Sequence, residues 1–228
     1  MLDKWMTTNL DAEDIAYWYL RLNGFLCLRN FLVHGDRRGE IRTDIDVVGV
    51  RMKHRREHLK DPMRDAEWVE DAKRTIVVFC DAKTNARDFN AAWTLHQRYI
   101  LESFLALVGA VPENLWAQTA RELYETGRSE PSPDVLVTVL LVNHDPRGQA
   151  PTRLRSAQVI QLADAFRFVH RRFNKYRQIK RENSQWEASG HALWNLFEKH
   201  RRSEDAFVIA GLRAIGSDTT RLLPSSAS

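Results

Sequence analysis

Apolar and polar positions follow two rhythms along this chain, and the switches between them mark out its elements. From Asp11 to Gly24 the apolar residues Ile15, Trp18, Tyr19 and Leu22 recur at helical spacing, which predicts a helix that buries one stripe. Acids crowd its first turn, and Gly24 stands where such a helix stops. Phe25 to His34 reads as a strand, Gly35 to Gly39 as a turn, and Thr43 to Met52 as a second strand. A period of two in that second strand puts Asp44 and Asp46 on one face with Val48 and Val50, and Ile45 with Val47 on the other. After a basic loop and a short turn or helix near residues 65–73, Ile76 to Cys80 forms an unbroken apolar run rich in β-branched residues. That is the pattern of a central strand covered on both faces.

Residues 88–108 predict a long helix, with Phe89, Ala92, Trp93, Tyr99, Ile100, Phe104 and Leu107 apolar, and residues 112–125 a shorter one. The Gly, Ser and Pro residues of 126–134 predict a linker. Val135 to Val142 is a fourth, almost wholly apolar strand. A loop over 143–151 leads into helices, and the chain ends in Pro-Ser-Ser-Ala-Ser, read as a frayed tail. Helix, three strands, helix, strand, then helices predicts an α/β protein. Its first three strands form an antiparallel meander, and the fourth, reached across a helix, pairs in parallel.

Composition adds bounds. The 228 residues, 43% of them hydrophobic, suffice for one core over 11–150, a basic helical part over 151–215 packed on it, and a disordered tail over 216–228. Cys27 and Cys80 both fall in predicted strands and suggest no disulfide framework. The first eleven residues lack a signal pattern, and no apolar run is long enough for a bilayer, so a cytoplasmic protein without membrane contact is expected. No phosphate-binding glycine loop, paired Cys-x-x-Cys or Gly-x-Ser-x-Gly elbow is present.

Charge enters through its placement, since 34 basic against 30 acidic residues leave only +4 overall. One cluster is the loop with Arg51, Lys53, Arg55 and Arg56. The other runs from Arg167 to Arg181 without an acid, including Arg171, Arg172, Lys175, Arg177, Lys180 and Arg181, beside an apolar stripe of Phe166, Val169, Phe173 and Tyr176. Both are candidate nucleic-acid backbone contacts, against the plainer reading of a solvated surface. His54 to His58 also matches the inverted zinc-peptidase pattern His-x-x-Glu-His, but it lies in a basic loop with no apolar face to seat a helix.

The candidate chemistry sits at Asp81-Ala82-Lys83, where the central strand ends. Alternation projects Asp81 and Lys83 from the same face. The plainest reading is an ion pair that ends a strand. Its position after a buried strand, with Asp46 upstream in the same order of elements, resembles the PD-(D/E)XK nuclease superfamily. The similarity is greatest to its Holliday-junction-resolvase-like and restriction-endonuclease-like branch. Glu13, Gly24-Phe25, Asn30 and Asp44-Ile45-Asp46 stand at places matching that branch, over about residues 11 to 142. The loop between the second and third strands is longer and more basic than in the small relatives, and the motif acid is Asp rather than Glu.

The resemblance implies a restriction-endonuclease-like αβββαβ core, a mixed sheet flanked by helices, and hydrolysis of DNA phosphodiesters with Mg²⁺ or Mn²⁺. RNA is a third possibility after DNA and a silent module, since the phosphate chemistry is shared. Asp46, Asp81, the Ala82 carbonyl and Glu13 would hold the ion, with Asp44 as an alternative to Asp46 or a second ligand, and Lys83 would position or deprotonate the attacking water or stabilise the charged phosphate. A homodimer and an ATPase or helicase partner are compatible with the family. A catalytically silent member that binds nucleic acid or a partner protein is the other reading.

Overall fold

The computed structural model describes residues 10–34, 41–58, 60–70, 72–86, 88–90, 93, 100–144, 154–182, 186–217 and 219. Helix α1 (Ala12–Leu22) opens with a capping box: Asp11 accepts the Asp14 N–H at 2.7 Å, and Asp14 accepts the Asp11 N–H at 3.2 Å. Three strands follow, β1 (Leu26–His34), β2 (Ile41–Arg51) and β3 (Thr75–Lys83), with the single turn α2 (Glu67–Glu70) before β3. Next come α3 (Ile100–Val108), α4 (Trp116–Thr126), β4 (Arg128–Ser132), β5 (Val135–Asn143) and β6 (Gln158–Gln161). Helices α5 (Leu162–Lys175), α6 (Arg177–Glu182), α7 (Ala188–His200) and α8 (Glu204–Ala214) follow.

The result is an α/β protein with a mixed six-stranded sheet in the order β1-β2-β3-β5-β4, and β6 beside the far end of β5. β1, β2 and β3 pair antiparallel, and β5 joins β3 in parallel along its whole length, from Thr75–Val135 to Lys83–Asn143. β3 and β5 are the two fully covered strands, as their unbroken apolar runs require. On one face lie α1 and, over it, α5, α7 and α8; on the other lie α3 and α4.

Four expectations change in the structure. Helix α1 buries Ala16, Tyr17 and Leu20 as well as the predicted stripe, because a second helical layer covers the side away from the sheet. The lock is tight: Trp18 Nε1 donates to Ser189 Oγ at 3.0 Å, and a Cβ on Gly190 would come 2.2 Å from the Trp18 ring. The linker at 126–134 contains an edge strand, β4, paired antiparallel with β5; Pro131 is tolerated there because an edge pairs on one side only. A short strand, β6, precedes the C-terminal helices. The helix predicted from 88 does not begin there: residues 88–90 are irregular, Ile100–Val108 is helical, and 91, 92 and 94–99 lie outside the described residues.

The C-terminal end of α8 also reaches the site described below. Ser217 Oγ donates to the Thr84 carbonyl at 3.3 Å, and Asn85 Nδ2 to the Gly216 carbonyl at 3.4 Å. The expected tail therefore begins as packed chain, and its remainder, 218 and 220–228, lies outside the described residues. No described helix is long and apolar enough to cross a membrane.

Candidate active site

The ladder between β2 and β3 ends at the pair Val47–Cys80. One step further, Asp46 and Asp81 lie across from each other. Here the Asp46 carboxylate replaces a backbone acceptor: its Oδ2 takes the Ala82 N–H at 2.7 Å. The β1–β2 ladder skips one pair at this point without a shift of register. On the other side of Asp46 the β1–β2 register passes from Arg29–Val47 to Phe31–Ile45, and the intervening Asn30 has φ +49°, a left-handed conformation that Asn tolerates well. Across this skipped pair Ile45 packs in one cluster with Val48 and Phe79 rather than with Val47, so strict alternation fails at Asp46. Asn30 thus has a backbone role that its residue type hints at.

Asp81 is 1% exposed, at the rim of the α3–α4 face. Lys83 Nζ meets Asp81 Oδ1 at 2.7 Å. Asp81 Oδ2 accepts the Asn90 N–H at 3.0 Å. Asn90 carries no charge and stands in what reads as helix, so the sequence gives no sign of its role. Glu13, half-buried in the first turn of α1, lies close enough to interact electrostatically with Asp46 and Asp44.

The acids outweigh the cations. Burial pushes the Asp46 carboxyl up to about 7; the charges of Asp81 and Glu13 add to the shift, while the Ala82 N–H and Lys83 oppose it. Burial also raises Glu13, with Asp11, Asp44 and Asp14 adding and Arg29 opposing. A buried excess of carboxylate is the donor chemistry a hard divalent cation takes, so the residue types fit such an ion. The arrangement is less ready: both Asp81 oxygens are engaged, and no three His, Cys, Asp or Glu side chains among the described residues converge closely enough to hold a metal.

The basic loop is not beside this site. Arg51 pairs with Ile76 at the opposite end of β2 and β3, five residues from Asp46, roughly 16 Å at 3.3 Å per residue. Arg51 is buried; its Nε donates to the Asn23 carbonyl at 3.0 Å and its Nη2 to Asp65 at 2.6 Å. Lys53 pairs with Asp134 at 2.8 Å. Arg55 lies 3.6 Å from Asp65, and Arg56 is exposed.

The second cluster is neutralised by acids distant in sequence. Arg172 is completely buried between Glu57 at 2.6 Å and Asp65 at 2.7 Å, over the Phe168 ring. A side chain so enclosed is not a surface phosphate contact, and the same holds for Arg51. Both are structural ties. Arg171 forks onto Glu204 at 2.8 Å and Arg177 onto Glu198 at 2.9 Å, each through two bonds. Lys175 pairs with Asp61, and Lys180 lies 3.6 Å from Glu57. Arg181, in contrast, has no ion pair among the described residues. In the zinc-peptidase pattern, His58 accepts the Lys60 and Asp61 N–H groups and stacks on Tyr176, while Glu57 is held by Arg172; residues 53–58 form no helix.

Compared with protein-family models, curated proteins and solved structures, the chain finds no match.

Proposed function

We propose that this chain is a metal-dependent phosphodiesterase of the PD-(D/E)XK type, acting on DNA. The observation that carries the reading is the placement of Asp46 and Asp81 where β2 and β3 part, with Ala82 between them and Lys83 against Asp81. The helix, three strands, helix, strand order around that point supports it. Asp46, Asp81, the Ala82 carbonyl and Glu13 would hold Mg²⁺ or Mn²⁺. Such an ion, when bound, offsets charge on a phosphodiester and acidifies a water. Lys83, with its side chain 19% exposed, is the group able to leave Asp81 and turn to a scissile phosphate or an incoming water. Asn90 holds Asp81 in place meanwhile.

The second reading, a silent module of the same architecture, is favoured by one observation: both Asp81 oxygens are already engaged within the protein. Cleavage of supercoiled plasmid with Mg²⁺, Mn²⁺ or EDTA, for wild type, Asp81→Ala and Lys83→Ala, separates the two. Metal-dependent nicking lost in both variants supports the enzyme. DNA binding without cutting in all three favours the silent module, and cutting that survives both substitutions places the chemistry elsewhere.

A further inference from the structure

The cation end of the sheet holds a pocket of about 400 Å³ between the start of the loop after β2 and α2. Its acids are already committed. Glu57 takes Arg172 and Lys180, Asp65 takes Arg51 and Arg172, and Glu70 accepts the Asp65 N–H at 2.8 Å. Among its cations, Arg51 is bound to Asp65 and Lys53 to Asp134. Arg55 has only a loose pair with Asp65, and Arg56 and Lys73 have none among the described residues. Arg55 lines the cavity with its side chain 24% exposed; its Nη1 is buried without a hydrogen bond, and the nearest carboxylate oxygen, on Asp65, is 3.6 Å away.

Arg55 is also held in position. Gly24, with φ +85°, ends α1 against it: a Cβ there would come 2.3 Å from the Arg55 Nε, so the guanidinium lies directly on the glycine. Arg56 and Lys73 are exposed and have no ion pair among the described residues. A guanidinium with one unbonded nitrogen and only a 3.6 Å ion pair, two exposed cations without an ion pair among the described residues, and acids engaged elsewhere leave a positive excess around one cavity. A polyoxyanion would offset it through the fork geometry in which guanidinium meets phosphate.

We infer that this pocket is an anion site for a phosphate group, built on Arg55 with Arg56 and Lys73 at the rim, at the end of the sheet opposite Asp46 and Asp81. Burial lowers the Arg55 pKa, with Asp65 and Glu57 opposing and Arg172 and Arg51 adding. The site does not depend on the hydrolase reading, because it is defined by binding and not by cleavage. The phosphate comes either from a nucleic-acid strand or from a small phosphate ester.

Titrating the full chain with inorganic phosphate, against chloride at matched ionic strength, tests it by calorimetry and thermal shift. Saturable binding at one site is expected. Arg55→Gln should weaken it about 10- to 100-fold, the equivalent of one charge-assisted bond of roughly 1.5–3 kcal/mol. The double variant Arg56→Ala/Lys73→Ala changes only exposed side chains and should weaken binding several-fold with the fold intact. Chloride giving the same response, or phosphate binding unchanged in either folded variant, overturns the site. A short DNA duplex identifies the source: competition with phosphate assigns the pocket to a nucleic-acid strand, and independent binding assigns it to a small ester.

Discussion

The two ends of the β2–β3 pair carry opposite imbalances of charge, and they resolve them differently. At one end Asp46, Asp81 and Glu13 stand against Lys83, and the strain appears as an Asp46 carboxyl pushed up to about 7. At the other, Arg51, Arg55, Arg172 and Lys180 crowd around Glu57 and Asp65, and the strain appears as unbonded guanidinium nitrogens on Arg55 and Arg172. Burial makes both costly. The acid end keeps its excess among a few short side chains at a break in a ladder. The cation end spreads its excess through a network that also ties α5 to the loop before α2. One end is thus a candidate site of few local contacts, and the other a structural joint with a proposed anion site beside it.

The largest effect should come from cutting that joint. Arg172→Met removes the cation shared by Glu57 and Asp65 and leaves both carboxylates under-compensated in a buried place. A loss of about 3–5 kcal/mol is expected in urea unfolding, the scale for removing one partner of a buried ion pair. Arg55→Met removes a surplus cation and should stay within about 1 kcal/mol of wild type in phosphate-free buffer. Equal losses from the two substitutions would break the distinction between joint and site.

The acid end should respond through pH. The folded pKa of Asp46, about 7, lies above its unfolded value near 3.8, so the folded state holds the proton between them. The stabilisation from that proton is complete below about 3.8 and is lost as pH rises through about 7. In EDTA, Asp46→Asn should therefore be more stable than wild type at about pH 8, by roughly 1–2 kcal/mol after allowing for the screening of a half-buried carboxylate, and lose that advantage at about pH 4. Thermal melts across that range measure it. Mg²⁺ should stabilise wild type and not the variant if Asp46 holds the ion; an advantage for Asp46→Asn that persists unchanged at low pH would remove charge as its cause.

Much of this architecture is legible in the chain because the signals are local. The unbroken runs of β3 and β5, the capped start of α1 and the acid-x-Lys at the end of β3 each depend on neighbours in sequence. What misleads is long-range. Arg167 to Arg181 contains no acid, so it reads as a cationic face, yet Glu57, Asp61, Glu198 and Glu204 arrive from elsewhere to pair with it. Arg51 reads as a loop cation free to meet a backbone, yet it stands at the end of β2 away from Asp46, since an extended strand carries its two ends far apart. Asn90 and Ser217 support the site through a backbone N–H and a single hydroxyl, which leave no pattern. β4 is hidden because prolines and serines suit an edge strand and a linker equally.

The smallest effect separates paired surface charge from free charge. Arg171 is exposed and forks onto Glu204 at 2.8 Å, a geometry good enough to hold its charge but in contact with water. Arg171→Ala should cost about 0.2–1 kcal/mol, less at high salt, since water already screens most of the attraction. Its effect on DNA affinity, measured by fluorescence anisotropy at fixed ionic strength, should be smaller than that of Arg181→Ala or of Arg56→Ala, whose charges no carboxylate claims among the described residues. Loss of a phosphate contact also lowers the slope of affinity against salt by about one, whereas loss of an internal pair leaves it unchanged. A salt slope reduced by Arg171→Ala would mean that Glu204 yields its partner to the nucleic acid, and that the α5 cations are a binding face after all.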